Sequence, residues 1–558
     1  MTGRVLVLAL DSADLPMLER LMAQGELPHL RDLLARGARW PLQIPEAYKA
    51  EAPWTTFVTG RTSPQTGYWS AVSFDPKTYA VTMVGAADLP PFFALGDAAT
   101  VIALDIPHAV LGRDLRGIQI IGWGGHDLQH HRSSTPPGAL RDLEDAVGGH
   151  PGRPIEFLGS WHQPEFVRSF GAALATGARR RVDAVRHLMA ARPDWDLCLV
   201  GISELHNGGH QLWFGIDDRS PFHGTPGAAD AREAMLAVCR AVDESIGALV
   251  ASVPDGTTVV AFSIKGMEAD TSDVASAVLV PELLYRAATG DRRADEPDAA
   301  AWRAAGCPPL VLLPSQSVPG YMARRFGASA AQRRALVARA RARRLALRVA
   351  PDRVRGRDGD GWPIVPDEEP PFEEPDHDAM GALVQDMSTW SVATMYRDAW
   401  PRMRAFGLPS FSDPNVRLNV VGRERDGLVG LDGYASACAD VARLVEACTD
   451  PATGARLDVE VLPLRADDPL DPAGPPADLV VRFGRPLQAI EHPDHGLIGP
   501  FPHARTGGHT VDGFAAIAGA GIAPGDHPPR PIEAVPPTQL AVRGLPTDGY
   551  AEPLELPG

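Results

Sequence analysis

Arg4-Val5-Leu6-Val7-Leu8-Ala9-Leu10-Asp11 decides the fold. An unbroken apolar run without polar alternation predicts a parallel strand buried on both faces. Asp11 stands at its carboxyl end, the edge where open α/β sheets hold their ligands. Outward from this strand, helices are predicted from about Pro16 to Gln24 and from about Pro28 to Gly37. Further strand-like runs span Thr100–Leu104, Ile118–Ile121, Leu197–Ile202 and Thr257–Phe262, with helical segments at Phe170–Ala191 and Ala229–Val253. This alternation predicts an α/β fold, a mostly parallel central sheet sandwiched by helices.

The pattern changes after about residue 285. Ala330–Val349 reads as a basic helix and Pro366–Asp378 as an acidic, proline-rich stretch, most simply solvated and paired with each other. Strand signals resume at Asn415–Val421 and Asp478–Phe483. Residues 286–475 are therefore expected to form an inserted lid or cap region, with 1–285 and 476–558 as the two parts of the core.

The chain has 558 residues and a formal net charge of −17. That charge disfavours a nucleic-acid polymer or an anionic membrane as partner, because phosphate repulsion goes uncompensated over most of the surface. A small anionic substrate stays compatible, since a local arginine cluster can dominate a pocket. The five cysteines are scattered without a CxxC pair, which suits a reducing compartment and argues against disulfides or a thiolate metal site. With no signal-peptide pattern and no bilayer-length apolar run, a cytoplasmic location is expected. The sequence leaves a homo-oligomer open.

Chemistry concentrates in Ser203-Glu204-Leu205-His206-Asn207-Gly208-Gly209-His210. His206 and His210, four apart, fall on one face of a helical turn and can address one ion. A third imidazole, His509 of Gly507-Gly508-His509, would complete three nitrogen ligands and leave a coordination position open. Imidazole ligands favour zinc, so one Zn2+ per chain is expected. Glu204 reads either as a partner or general base for this site or as an exposed strand-end carboxylate. His126, in the glycine-rich Gly122-Trp123-Gly124-Gly125-His126-Asp127, is placed at the pocket rim as a proton carrier; His130 and His131 read as a surface pair. Alternation puts Arg417, Asn419 and Arg423 on one strand face, which either presents two guanidinium groups to an anionic substrate or is simply solvated. Trp54 and Trp213 read as core or pocket wall.

Several stretches resemble the alkaline phosphatase superfamily, type I phosphodiesterase / nucleotide pyrophosphatase branch. They are Leu8–Asp11, Gly25–Leu30, Pro53–Gly60, the helix of His206 and His210, Ser263-Ile264-Lys265-Gly266-Met267, Gly507–His509 with Asp512-Gly513-Phe514, and Pro537–Gly549. The resemblance covers both ends of the chain and is thin in the middle. It implies two zinc ions about 4 Å apart that clamp attacking and leaving oxygens. For the first ion, His206, His210 and His509 stand at the family's positions, with His206 replacing an Asp. For the second, only Asp11 remains, because Ile264 and Lys265 replace the Asp-His pair. Counting back from Gly60 puts the nucleophile position at Ala50, which has no hydroxyl; Lys49 is adjacent and Thr55 and Thr56 lie a helical turn or more away, and a different offset would leave Lys49, Thr55 or another residue as nucleophile with two metals bound.

Lys265 then substitutes for the missing cation, and an Asp11–Lys265 ion pair is predicted, since a lone buried carboxylate is costly. The resulting expectation is a mononuclear zinc enzyme acting on a small anionic metabolite, most simply a hydrolase without a covalent nucleophile. Catalysis would fall to Lys265, Asp11, Glu204 and His126, and substrate binding to Arg417, Asn419 and Arg423. A metal-dependent lyase or transferase, or an inactive homologue used for binding, stays open.

Overall fold

Leu6, Leu8 and Leu10 face one apolar cluster while Val5, Val7 and Ala9 face another, so alternate side chains of one strand enter two different cores. In the computed structural model all six are fully buried. The structure describes residues 3–557 apart from 46, 51, 85–88, 126–131, 153–160, 295–298, 312–325, 327–355, 358–362 and 365–391. The strands β1 (Val5–Leu10), β2 (Ala38–Gln43), β3 (Gly96–Leu104), β4 (Leu115–Ile121), β5 (Leu197–Ile202), β6 (Thr258–Ser263) and β7 (Asp512–Ala518) lie in the spatial order β2–β7–β6–β1–β5–β3–β4. From β6 to β4 the pairing is parallel, and β7 is antiparallel to both its neighbours. This is the doubly covered, mostly parallel sheet that the apolar runs predict.

Leu6, Leu8 and Leu10 pack under the helices α1 (Pro164–Ala191), α2 (Glu204–Leu212) and α3 (Ala228–Val250). Burying a leucine contributes about 1.5–3 kcal/mol, so this face is a large share of the core's stabilisation. The opposite face packs against the helices Ala52–Thr59 and Val535–Val542. Asp14 accepts from the Met17 amide at 2.8 Å and caps the helix Leu15–Ala23, which is why the chain turns sharply away after Asp11. Pro28 opens the next helix, and Asp243 of α3 accepts the amides of His29 and Leu30 there.

A second, four-stranded antiparallel sheet orders Ala405–Leu408, Asn415–Leu418, Leu479–Phe483 and Val459–Pro463 side by side. Its own apolar cluster takes in the helix Tyr434–Glu446 and the segment Val274–Tyr285. The strand expected at Asp478–Phe483 thus belongs to this sheet and not to the core. The chain rejoins the core later, at Gly507–His509 and β7. Apolar content reveals a strand but not which sheet claims it. The basic run Ala330–Val349 and the acidic stretch Pro366–Asp378 lie outside the described residues. All five cysteines are free, and no helix among the described residues is long and apolar enough to cross a membrane.

Candidate metal centre

α2 starts one residue after β5 ends, which delivers His206 and His210 to the carboxyl edge of the sheet beside Asp11. His509 arrives on the short strand Gly507–His509, paired with Met267–Ala269 in the register Met267↔His509. Glycine makes that approach possible. A Cβ on Gly507 would lie 2.3 Å from the Gly209 carbonyl oxygen, so strand and helix meet backbone to backbone. The three buried imidazoles converge with ring centroids 4.5, 5.0 and 4.8 Å apart, and one ligand atom from each lies within 4.8 Å of the others.

Each ring is oriented through its Nδ1. His206 donates to Asp11 Oδ2 at 2.9 Å and His210 to the Gly507 carbonyl at 2.7 Å. His509 Nδ1 lies 3.4 Å from the Ser12 hydroxyl, which also approaches His206 Nδ1 at 3.3 Å. A ring whose Nδ1–H is donated presents its Nε2 lone pair, the arrangement that metal-binding histidines use. Burial above all, then the cations Arg505 for His210 and Lys265 for His509, hold both rings well below the usual imidazole range. They are therefore neutral and able to ligate. The donor set fits a zinc ion.

Asp11 is fully buried; its Oδ1 accepts from Trp54 Nε1 at 3.0 Å and from Ser12 at 3.2 Å. Trp54, read as core or wall, is thus also a donor to the site's carboxylate. Ser12 carries no sequence signal beyond its place after Asp11. Its backbone has φ +55°, a left-handed turn that aims the hydroxyl back at the histidines.

Across from the imidazoles, Ile264 is wholly buried apolar packing and cannot ligate. Lys265, 1% exposed, donates from Nζ to the carbonyl of Ala50 at 2.6 Å. The lysine therefore reaches the backbone of the position that counting assigns to the nucleophile. Ser263 braces this loop, accepting from the Ala13 amide at 3.0 Å and donating to the Lys265 carbonyl at 2.8 Å. Lys49 is engaged elsewhere, in an ion pair with Asp413 at 3.1 Å.

Glu204 is buried, so its reading as an exposed strand-end carboxylate is corrected. Its Oε1 accepts from Arg181 Nε and His150 Nε2, both at 3.0 Å, and Arg181 also pairs with Asp105 at 2.9 Å. Burial raises its pKa, but the Arg181 guanidinium and His150 outweigh that and hold the carboxyl at about 2. A base so acidic takes up no proton near neutrality. Glu204 anchors α2 instead. The amides of Gly122, Trp123 and Gly124 wrap Asp105 at 2.7–3.0 Å, giving the glycine-rich loop a structural task. His126, His130 and His131 lie outside the described residues.

The substrate-binding expectation for Arg417, Asn419 and Arg423 is corrected. The strand ends at Leu418, so Arg423 lies in a following turn and the three do not line one strand face. Arg417 pairs with Glu424 at 2.6 Å and donates to the Pro476 carbonyl. Arg423 pairs with Asp478 at 2.7 Å and Glu424 at 3.0 Å. Asn419 donates to the carbonyls of Trp400 and Met403 and accepts from the Tyr79 hydroxyl. Buried guanidinium groups require such carboxylates, and these ones hold the second sheet together.

The family model described as type I phosphodiesterase / nucleotide pyrophosphatase matches residues 5–308, more than half of the chain. A comparison with curated protein sequences found no match. Among solved structures, human ectonucleotide pyrophosphatase / phosphodiesterase 5 is similar at 9% identity over 99% of this chain and 97% of its own, with a TM-score of 0.44. The murine counterpart gives 10% over the same shares, with a TM-score of 0.44. Phosphonoacetate hydrolase from Sinorhizobium meliloti 1021, in complex with phosphonoformate, gives 17% identity and a TM-score of 0.33. That match covers 52% of this chain and 63% of the hydrolase, less than two thirds of its length.

Proposed function

Because the chain belongs to the type I phosphodiesterase / nucleotide pyrophosphatase family of hydrolases, we propose that it hydrolyses a small anionic phosphoester with a single zinc ion and without a protein nucleophile. The observation that carries this reading is the pairing of a complete imidazole set, His206, His210 and His509, with the buried ammonium of Lys265, which bears on His509 and donates to the Ala50 carbonyl. His206, His210 and His509 would hold the zinc ion, which would supply Lewis-acid polarisation of a phosphoryl oxygen and lower the pKa of a water.

The chain's own groups do the rest. Asp11 fixes the tautomer and orientation of His206, the Gly507 carbonyl does so for His210, and Ser12 steadies the His509 ring. Lys265 balances the buried charge of Asp11 and stabilises negative charge developing on the substrate. Ala50 offers no hydroxyl, so water is the attacking group. Glu204 enters this reading as a positioning residue, through its hold on α2.

The test is metal analysis of purified protein together with turnover of an aryl phosphodiester. Zinc at the imidazole set, lost with activity in His210→Ala, supports the reading. Metal-free protein that folds normally and turns over no phosphoester contradicts it.

A further inference from the structure

We propose that Asp270, Asp273 and His503 form a separate binding site for a divalent transition cation, Mn2+ or Zn2+, that braces the segment carrying His509. One ligand atom from each of the three lies within 4.8 Å of the others. Asp270 and His503 are 1% and 2% exposed, and His503 Nε2 is buried with no hydrogen-bond partner among the described residues. An orphaned imidazole nitrogen beside two carboxylates is an incomplete arrangement, since buried polar atoms normally find partners.

The charges are incomplete as well. Asp270 Oδ1 accepts from the Ser272 amide and hydroxyl, both at 2.9 Å, and from the Asp273 amide at 3.1 Å. Asp270 Oδ2 meets Arg505 at a long 3.3 Å, and Asp273 Oδ2 accepts from the Ala504 amide at 2.6 Å. Arg505, which bears on both carboxylates, also donates to the Phe411 carbonyl at 2.7 Å, so among the described residues its guanidinium is shared. A divalent cation would supply the missing charge and a partner for the imidazole. Two carboxylate oxygens with one imidazole nitrogen suit Mn2+ or Zn2+ better than the all-oxygen preference of Ca2+.

The site borders the imidazole set without sharing a ligand. The Asp270 amide donates to the Thr506 carbonyl at 3.0 Å, and the Thr506 amide donates to the His210 carbonyl at 2.7 Å. A cation held by Asp270, Asp273 and His503 therefore fixes the segment 503–509 from its far end. The proposal goes beyond the hydrolase reading and does not depend on it.

The experiment is anomalous diffraction and metal stoichiometry on full-length protein stripped with chelator and reloaded with Mn2+ or Zn2+, comparing wild type, His503→Ala, Asp273→Asn and His210→Ala. The expected wild-type result is a peak among Asp270, Asp273 and His503 in addition to the one at the imidazoles. His503→Ala and Asp273→Asn should each lose only the former, and His210→Ala only the latter. Circular dichroism and thermal unfolding establish that each variant folds, and the milder Asp273→Asn stands in should His503→Ala not. No peak at this site in the reloaded wild type, or a peak unchanged in both variants, overturns the proposal. A peak here with none at the imidazoles upholds it while removing the hydrolase reading.

Discussion

Lys265 Nζ donates to the Ala50 carbonyl at 2.6 Å, so the lysine that the resemblance aligns with a metal ligand reaches the residue that it aligns with the nucleophile. On the proposed reading this ammonium takes over charge compensation, and a hydroxyl at position 50 would have no second ion to activate it.

Lys265→Met keeps the side chain's length and removes its charge. Turnover of an aryl phosphodiester is expected to fall about 100-fold in kcat, with KM changing little, because the interaction grows with charge in the transition state. A variant with unchanged kcat places Lys265 outside the chemistry.

His210→Ala removes one ligand of three. Loss of zinc and a drop in kcat/KM of roughly a thousandfold are expected, equivalent to about 4 kcal/mol of transition-state stabilisation. Inductively coupled plasma mass spectrometry and steady-state kinetics on the same preparation check both.

Asp11→Asn leaves the imidazoles in place but weakens the acceptor that orients His206. Zinc affinity is expected to fall about 10–100-fold, as for other outer partners of metal-bound histidines. Competition with a chromogenic chelator measures it.

Glu204 ties stability to acid. Its carboxyl lies at about 2 in the folded chain against an ordinary 4.5, a depressed value, so its contribution is complete above about 4.5 and is lost as pH falls toward 2. The expected loss is on the order of 3 kcal/mol. Glu204→Gln removes that acid dependence and destabilises the protein at neutral pH by about 3–5 kcal/mol, because among the described residues Arg181 then keeps only Asp105 as a charged partner. Urea unfolding between pH 2 and 7 reads out both effects.

Much of this was legible in the residues. The unbroken apolar runs at Val5–Leu10 and Leu197–Ile202 announce buried parallel strands because no face of them meets water. The four-residue spacing of His206 and His210 announces a shared helix face. His509 is legible through its Gly-Gly-His setting, where the absence of side chains permits the close approach to α2. Ser12 was not legible, since its role comes from a left-handed turn that brings its hydroxyl to histidines from two distant segments. Arg417 and Arg423 misled for a related reason. Their partners Glu424 and Asp478 are set by a turn and by another strand, and neither shows in strand alternation. Asp270, Asp273 and His503 were silent too, because distant parts of the chain bring them together.

The most direct test is an anomalous difference map of zinc-loaded crystals around Asp11. A single peak among His206, His210 and His509, with density for the lysine ammonium and no ion between Asp11 and Lys265, is the predicted result. A second ion between those two residues, or no ion among the imidazoles, would contradict it.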